Sequence, residues 1–564
     1  MAKVKLNLLS RTYAYVQRYQ QIMFVLLKYG FDDLIASLNL EENLKMGWKI
    51  LIPKRIKKDV SLSRAARIRI VMEELGPTFI KLGQALSTRS DLLPQDVLEE
   101  LALLQDRVPA FSTEAVKRIL DDELKQDWKE VFPFFEEEPI AAASIGQVHK
   151  AHLQDGTVVA VKVQRPGIRK KIDVDLEILQ NMATLMERHM ELAQVHRPTA
   201  IVEEFARTIH NELDYDKEAS NAERFARMFS KSQFVQAFGI YRNLSTSRVL
   251  TMEFMRGTKP TQLANLLIQG IDPTTIAHKG CEVMMDQIFN HGFYHADPHP
   301  GNILVLEDER ICFLDLGMVG RLDRQSREIF ADLVLQVVHC NEVKAADSLL
   351  KLTHGHALID RLALEREIAE LVDQYIYRPL KELEVGRMIR SLMNLTVRHE
   401  LSIPAHYFLL IKAISQIEDL GRALDPAFNF TEKAEPYIRK LLLNRYHPRR
   451  ISRDLYETGA DLFYLFKEVP GEMRELLKQA KQGKVKIELE HFGLRPLRAT
   501  LNKVSSRIAS AIVLASLIVG SSLIVLAGIP PKWHEIPVIG LAGYVISGVM
   551  GLQLLRSISR DENR

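Results

Sequence analysis

The chain has 564 residues, with 75 Lys and Arg against 72 Asp and Glu and a formal net charge of +3, a balance that excludes a nucleic-acid binder working by bulk positive charge. Hydrophobic residues at 47% and charged residues at 26% are ordinary globular values, which excludes wholesale disorder, a collagen-like chain and a polytopic transporter. Cys281, Cys312 and Cys340 are too few and too widely spaced for a disulfide scaffold or a structural zinc site, and they imply a reducing compartment.

At the N-terminus, residues 1–31 carry Lys3, Lys5, Arg11, Arg18 and Lys28 and no acid, interleaved with Tyr13, Tyr15, Tyr19 and Phe24. Two readings stay open: a helix lying on an anionic membrane surface, or an amphipathic helix packed on its own domain. The apolar run 22–27 is too short for a secretory signal, and the scarcity of serine counts against a transit peptide.

Beyond this the pattern is mostly helical, with a β-rich island at 131–164, a short hairpin at 303–316, and neither repeats nor low-complexity segments. Residues 146–153 and 157–164 alternate around Asp155-Gly156, which predicts an antiparallel hairpin. Val159, Val161 and Val163 then share one face, and Ala160 and Lys162 the other. Just upstream, Ala141-Ala142-Ala143-Ser144-Ile145-Gly146-Gln147-Val148 overlays the phosphate-loop pattern G-x-G-x-x-G-x-V, with alanine in place of the first two glycines. Glycine lets backbone N–H groups approach phosphates closely, so an alanine version is stiffer and sits farther away. Lys162, fourteen residues beyond Val148, stands where a strand lysine pairs the α- and β-phosphates of a nucleotide.

The segment with the most chemistry is His295-Ala296-Asp297-Pro298-His299-Pro300-Gly301-Asn302, followed by two apolar strands around a polar turn and then Asp315-Leu316-Gly317. A hairpin returns its ends to the same place, so Asn302 and Asp315 are neighbours. An amide oxygen beside a carboxylate is a hard-oxygen pair suited to Mg²⁺. Asp297, five residues before Asn302, reproduces the Asp-to-Asn spacing of a phosphotransfer catalytic loop, and Asp315-Leu316-Gly317 stands in the D-F-G place. His299 is expected to hydrogen-bond the loop.

These residues resemble the UbiB family, atypical protein-kinase-like proteins of the AarF/ABC1 type linked to ubiquinone biosynthesis, over roughly residues 60–450. Lys81-Leu82-Gly83-Gln84 matches the family's K-x-G-Q motif. Thr78 is expected to cap its helix, with Phe79, Leu82 and Leu86 as an apolar stripe, Lys81, Gln84 and Thr88 opposite, and Gly83 pressed on another element. The resemblance implies that this helix covers the active site. It also matches Glu212-Leu213-Asp214 to an E-x-D motif and Glu218 to the glutamate that pairs the strand lysine, with 168–196 as inserted helix. If 212–214 is helical, Glu212 and Asp214 diverge by ~200°, so they cannot share a metal, and one of them is left to contact the Lys81 helix.

After Gly317 the chain runs through Met318-Val319-Gly320-Arg321 into a helix near Arg324, which leaves no activation segment for docking a peptide. At the C-terminus, 508–529 is free of charge over 22 residues, about 33 Å of helix. Pro530 and Pro531 end it, and 536–555 is a second uncharged stretch, which predicts a transmembrane helical hairpin closed by Gly520, Ser521, Gly540, Gly543, Ser547, Gly548 and Gly551. Arg495, Arg498, Lys503, Arg507, Arg556 and Arg560 put both flanks in the cytoplasm.

The fold expected is α+β: a two-lobed, mostly helical, atypical protein-kinase-like fold with an N-terminal helical extension and the C-terminal hairpin. Its parts are a basic amphipathic region (1–60), the helical extension with the K-x-G-Q motif (61–130), an N-lobe (131–255), a C-lobe (256–450), a linker (451–505) and two transmembrane helices (506–557). The resemblance implies an ATPase at the bacterial inner membrane, its catalytic domain cytoplasmic, that binds ATP or ADP with Mg²⁺. Its partners would be membrane lipid, prenylated quinone precursors and other ubiquinone-biosynthesis proteins, with no nucleic acid. Two other readings are a small-molecule phosphotransferase, because Asp297-x-His299-x-x-Asn302 also resembles the loop of aminoglycoside and choline kinases, and a nucleotide-gated scaffold without catalysis.

Overall fold

The computed structural model describes residues 2–37, 62–87, 89, 92–104, 108–189, 197–339, 341–353, 360–376, 385–399, 401, 403–445, 448, 481, 494–533 and 536–562. Thr88, Cys340 and most of the 451–505 linker therefore lie outside the described residues. The chain divides into two compact units, Met1–Arg453 and Asp454–Arg564.

The first unit begins with α1 (Ala2–Lys28) and α2 (Asp32–Ser37). Ile22, Met23, Val25 and Leu26 of α1 are buried with Val71, Leu75, Phe79 and Ile178, so the helix is packed on its own domain. Two of its basic residues are spent on this: Arg18 is buried and bonds both oxygens of Asp175 (2.6 and 3.1 Å) and Leu75 O (2.7 Å), while Lys28 pairs with Glu74 at 2.8 Å. Tyr13, Val16 and Phe24 stay exposed on the other side.

Three helices follow, α3 (Arg64–Leu75), α4 (Pro77–Leu86) and α5 (Gln95–Ala102). Thr78 does not cap α4. Gly76, at φ +92°, is the N-cap, and Pro77 fills the first helical position, for which its ring is pre-set. Thr78 thus falls inside the first turn, fully buried, and donates to Asp175 Oδ2 at 2.5 Å. Gly83 does press on its neighbours: a Cβ there would strike Leu104 Cδ1 and come within 2.5 Å of Met72 Sδ.

Next come α6 (Thr113–Leu124), α7 (Trp128–Val131), β1 (Phe134–Phe135), β2 (Ala141–Ala142), β3 (Gly146–His152), β4 (Val158–Gln164), α8 (Ile168–His189), α9 (Pro198–Glu212), α10 (Tyr215–Met228) and β5 (Val249–Glu253). The turn between β3 and β4 uses Gly156 at φ +83°, and Thr157 N–H donates to Asp155 Oδ1 (2.9 Å). The antiparallel sheet runs β1-β3-β4-β5, with β2 also on β3. Val159, Val161 and Val163 are buried under it with Val116, Leu120 and Phe132. β5 lies outside the β-island read from the sequence: its first four residues are all buried, so the alternation that marks a half-exposed strand is missing.

The rest of the unit is α11 (Leu263–Ile268), α12 (Pro273–Met285), β6 (Phe293–His295), β7 (Ile303–Val305), β8 (Ile311–Phe313), β9 (Val319–Arg321), α13 (Arg324–Val338), α14 (Glu342–Leu352), α15 (Arg361–Ile376), α16 (Val385–Arg398), α17 (Ala405–Leu424) and α18 (Phe430–Asn444). β7 and β8 form the expected hairpin. β6 and β9 pair antiparallel on either side of it, so the link from Gly317 to α13 is a strand rather than a plain connector. This helical half shares one large core through Met284, Phe313, Phe330, Leu392 and Ile414.

The second unit contains α19 (Leu494–Ala527), β10 (Lys532–Trp533), β11 (Ile536–Pro537) and α20 (Val538–Glu562). Ser505–Ala527 is long and apolar enough to cross a membrane and is almost wholly unburied within the protein. The second apolar stretch is shorter than the sequence implies, Val538–Leu554, because Ile536 and Pro537 pair as strand with β10. A Cβ would collide with Val525 Cγ2 at Gly540 and with Ser521 Oγ at Gly543, and Ser522 Oγ meets Tyr544 Oη at 2.6 Å. At Gly520 and Gly548 a Cβ would meet nothing within 4 Å, so this contact does not require glycine there.

Candidate functional site

The phosphate-loop residues form the turn from β2 to β3. Ala141 and Ala142 pair with Val148 and Gln147, Ala143 N–H donates to Gly146 O (2.8 Å), and Ser144, Ile145, Gly146 and Gln147 are buried. Gly146 is required sterically, since a Cβ would strike Tyr215 Oη and sit 2.7 Å from Val163 O. On the next strand the pleat turns Lys162 away from the buried valines. Its ammonium bonds both carboxylate oxygens of Glu218 (2.8 and 2.9 Å), lies 3.4 Å from Asp315 Oδ2, and stands over the Tyr215 ring. α10 thus places Glu218, and the end of β8 places Asp315.

Burial acts against every charge in this trio. It pulls Lys162 down, but Asp315 and Glu218 outweigh it and hold the ammonium well above the usual lysine range. Burial pushes Glu218 up to about 7 despite the adjacent lysine. Asp315 is also opposed by burial, yet the charge of Lys162, the Gly317 N–H at 2.8 Å and, more weakly, Lys81 bring it down to about 2. Asp315 is therefore a carboxylate at neutral pH.

Across the site, Asn302 and Asp315 are neighbours, because Leu314 N–H donates to Asn302 O (2.9 Å) where β7 and β8 meet. Asn302 Nδ2 donates to Asp297 O (3.3 Å), His295 Nδ1 accepts from Asp297 N–H (3.1 Å), and His299 Nδ1 accepts from Gly301 N–H (3.1 Å), so His299 does brace the loop. Asp297 Oδ1 is met by Lys412 Nζ at 2.7 Å and Gln416 Nε2 at 2.8 Å. Burial would raise this carboxyl, but Lys412 and Gln416 keep it below the ordinary carboxylate range. The sequence reading missed both residues. The signal was present: a lysine and a glutamine at i and i+4 on α17, a helix whose Phe408, Ile411, Ala413 and Ile414 are buried.

The motif helix α4 reaches the same region. Lys81 pairs with Glu212 at 2.5 Å, whereas Gln84 Nε2 donates to Leu104 O (3.2 Å), which ties α4 to the end of α5. Glu212 and Asp214 do not share a helix: α9 ends at Glu212, and Asp214 is the N-cap of α10, 3.8 Å from Lys217. Further along, the Arg89 guanidinium sits 4.7 Å from the centre of the Phe408 ring of α17.

Residues 103–349 match the ABC1 atypical kinase-like domain, 368–429 the UbiB helical domain, and 492–560 the ABC1/UbiB kinase-like C-terminal domain. The chain is 32% identical over 551 residues to the probable protein kinase UbiB of Xanthomonas campestris pv. campestris, covering 96% of this chain and 98% of that one. It is 32% identical to an uncharacterized protein in the hydrogenase 1 5′ region of Clostridium pasteurianum, covering 97% of this chain and 99% of that one. A Mycobacterium tuberculosis protein solved in complex with erythromycin is 27% identical, with a TM-score of 0.45 over 65% of this chain and 94% of that one.

Proposed function

The chain belongs to the UbiB family of ABC1 atypical kinase-like proteins, and on that premise we propose a membrane-anchored, Mg²⁺-dependent ATPase of two-lobed kinase-like fold that supports ubiquinone biosynthesis. The observation that carries the reading is the Lys162, Glu218 and Asp315 cluster facing a loop that holds Asp297 and Asn302. The Lys162 ammonium, oriented by Glu218, is the group that binds the α- and β-phosphates. Asn302 turns its amide nitrogen to Asp297 O, which leaves its amide oxygen as a donor, and Asp315 is ionised, so the pair fits Mg²⁺ shared with phosphates. When bound, Mg²⁺ supplies neutralisation of charge on the phosphate oxygens. Asp297 stays a carboxylate at neutral pH and, through its oxygen left by Lys412 and Gln416, orients a water or a hydroxyl rather than acting as a strong base.

Phosphorylation of proteins is a poor fit, because β9 follows Gly317 almost directly and leads into α13 with no peptide platform between them. The apolar helix Ser505–Ala527 supports a bilayer anchor at the bacterial inner membrane, near prenylated quinone precursors and other enzymes of their biosynthesis. The Lys81–Glu212 pair supports a gating role for α4 over the site. The test is Asp315→Asn: ATP hydrolysis and cellular ubiquinone should both fall, and a variant that keeps both would end the proposal. A second reading, transfer to a small acceptor, rests on Asp297-x-His299-x-x-Asn302. Radiolabelled phosphate appearing on a polar or prenyl acceptor instead of in water would favour it.

A further inference from the structure

We propose that Lys412 is the residue that binds the terminal phosphate of the nucleotide, from a helix outside the catalytic loop. The inference rests on the nucleotide-site reading above and deepens it. A loop that brings a carboxylate up to a transferring phosphoryl group needs a cation beside it, since two anions repel and charge builds on the phosphoryl oxygens. Here the loop 295–302 contains no lysine or arginine. Its His299 is no substitute, because Nδ1 is committed to Gly301 N–H and the side chain is exposed. Among the described residues, Lys162 is already assigned to the α- and β-phosphates beside Glu218 and Asp315, and Lys81 pairs with Glu212.

Lys412 fills the gap. Its Nζ sits 2.7 Å from Asp297 Oδ1 and keeps donors to spare, because an ammonium has three N–H bonds and Asp297 takes one. Both side chains are partly open to solvent, 22% and 28%, so a ligand can reach the pair. One turn on, Gln416 Nε2 holds the same oxygen while its own Oε1 is buried with no hydrogen-bond partner. A buried acceptor of this kind costs free energy until a donor arrives, and a water held by the bound phosphate is such a donor. Asp297 Oδ2 carries neither bond and remains to orient the water or hydroxyl. Lys412 thus bridges the orienting carboxylate and the terminal phosphate, and α17, within the UbiB helical domain, becomes part of the site.

The experiment compares ATP and ADP, each with Mg²⁺, binding to the full-length wild type, Lys412→Met and Lys412→Arg. A charge-assisted bond to the terminal phosphate predicts that Lys412→Met loses about tenfold or more in ATP affinity and less than about twofold for ADP, with Lys412→Arg close to wild type. Equal losses for ATP and ADP, or none, would overturn the role of Lys412 while the nucleotide site stands. A wild type that binds neither nucleotide would overturn both. Thermal unfolding of Lys412→Met beside wild type separates a binding defect from a folding one.

Discussion

Two of the lysine–carboxylate pairs at the site, Lys162–Glu218 and Lys412–Asp297, differ in how deeply the carboxylate is buried. In the sheet half, Lys162 comes from β4 and Glu218 from α10, the third helix after it, and Glu218 is 3% exposed. In the helical half, Asp297 sits on the catalytic loop while Gln416, beside Lys412, comes from 119 residues further on, and the Lys412–Asp297 pair is partly open to solvent. A pair whose carboxylate is buried fixes geometry at the cost of desolvating that charge, whereas a pair with both partners partly open can exchange partners when a ligand arrives. The sheet half is thus the rigid side of the site and the helical half the responsive side.

The largest expected effect tests the group common to both halves. Asp315→Asn removes the carboxylate that faces Lys162 and adjoins Asn302, so ATP turnover should fall by about a hundredfold or more by the scale of electrostatic stabilisation, measured as phosphate release. Next is a control away from the site. Asp175→Ala strands a buried Arg18 and the Thr78 hydroxyl, which should cost about 3–5 kcal/mol in denaturant unfolding and loosen α1. If turnover per folded molecule also collapses, the rigid side of the site extends through α8 and α4 to the N-terminal helix.

The pH dependence of stability separates the charges of the rigid side by sign. Burial raises Glu218 from its ordinary 4.5 to about 7, so its contribution is complete below pH 4.5 and is lost as pH rises to about 7. Asp315 runs the other way: held at about 2 instead of 3.8, its contribution is complete above 3.8 and is lost as pH falls towards 2. Glu218→Gln should flatten the melting temperature between pH 4.5 and 7 and leave the acid limb below pH 4 in place. A wild-type protein without a slope in the upper window would break the distinction between the two pairs.

What could be read from the sequence follows the same division. Gly156, the alternating valines, Lys162 and the 295–317 segment announce themselves because turn chemistry and strand period act over a few residues. β5 is silent because covering both faces erases alternation, and β6 with β9 because three-residue strands are too short to carry a period. Thr78 misled because threonine serves equally as a cap and as a buried donor, and the proline before it decides between them. Arg18 and Lys412 look like surface cations until the fold supplies Asp175 and Asp297.

The smallest effect expected lies where the helical extension meets the responsive side. Arg89 stacks on Phe408, four positions before Lys412 on α17, and faces Glu204 of α9 at 3.8 Å. A partly exposed cation–π contact is worth about 0.5–1 kcal/mol, and the ion pair at that distance adds less. Loss of the stacking in Arg89→Ala should therefore lower stability by about 0.5–1 kcal/mol. Its consequence is expected in local opening: hydrogen exchange should quicken in α4 and in the first turns of α17 while the sheet keeps its protection. Exchange that quickens instead along β3 and β4 would mean that the extension braces the sheet half, and the site's responsive side would have to be redrawn to include Lys162.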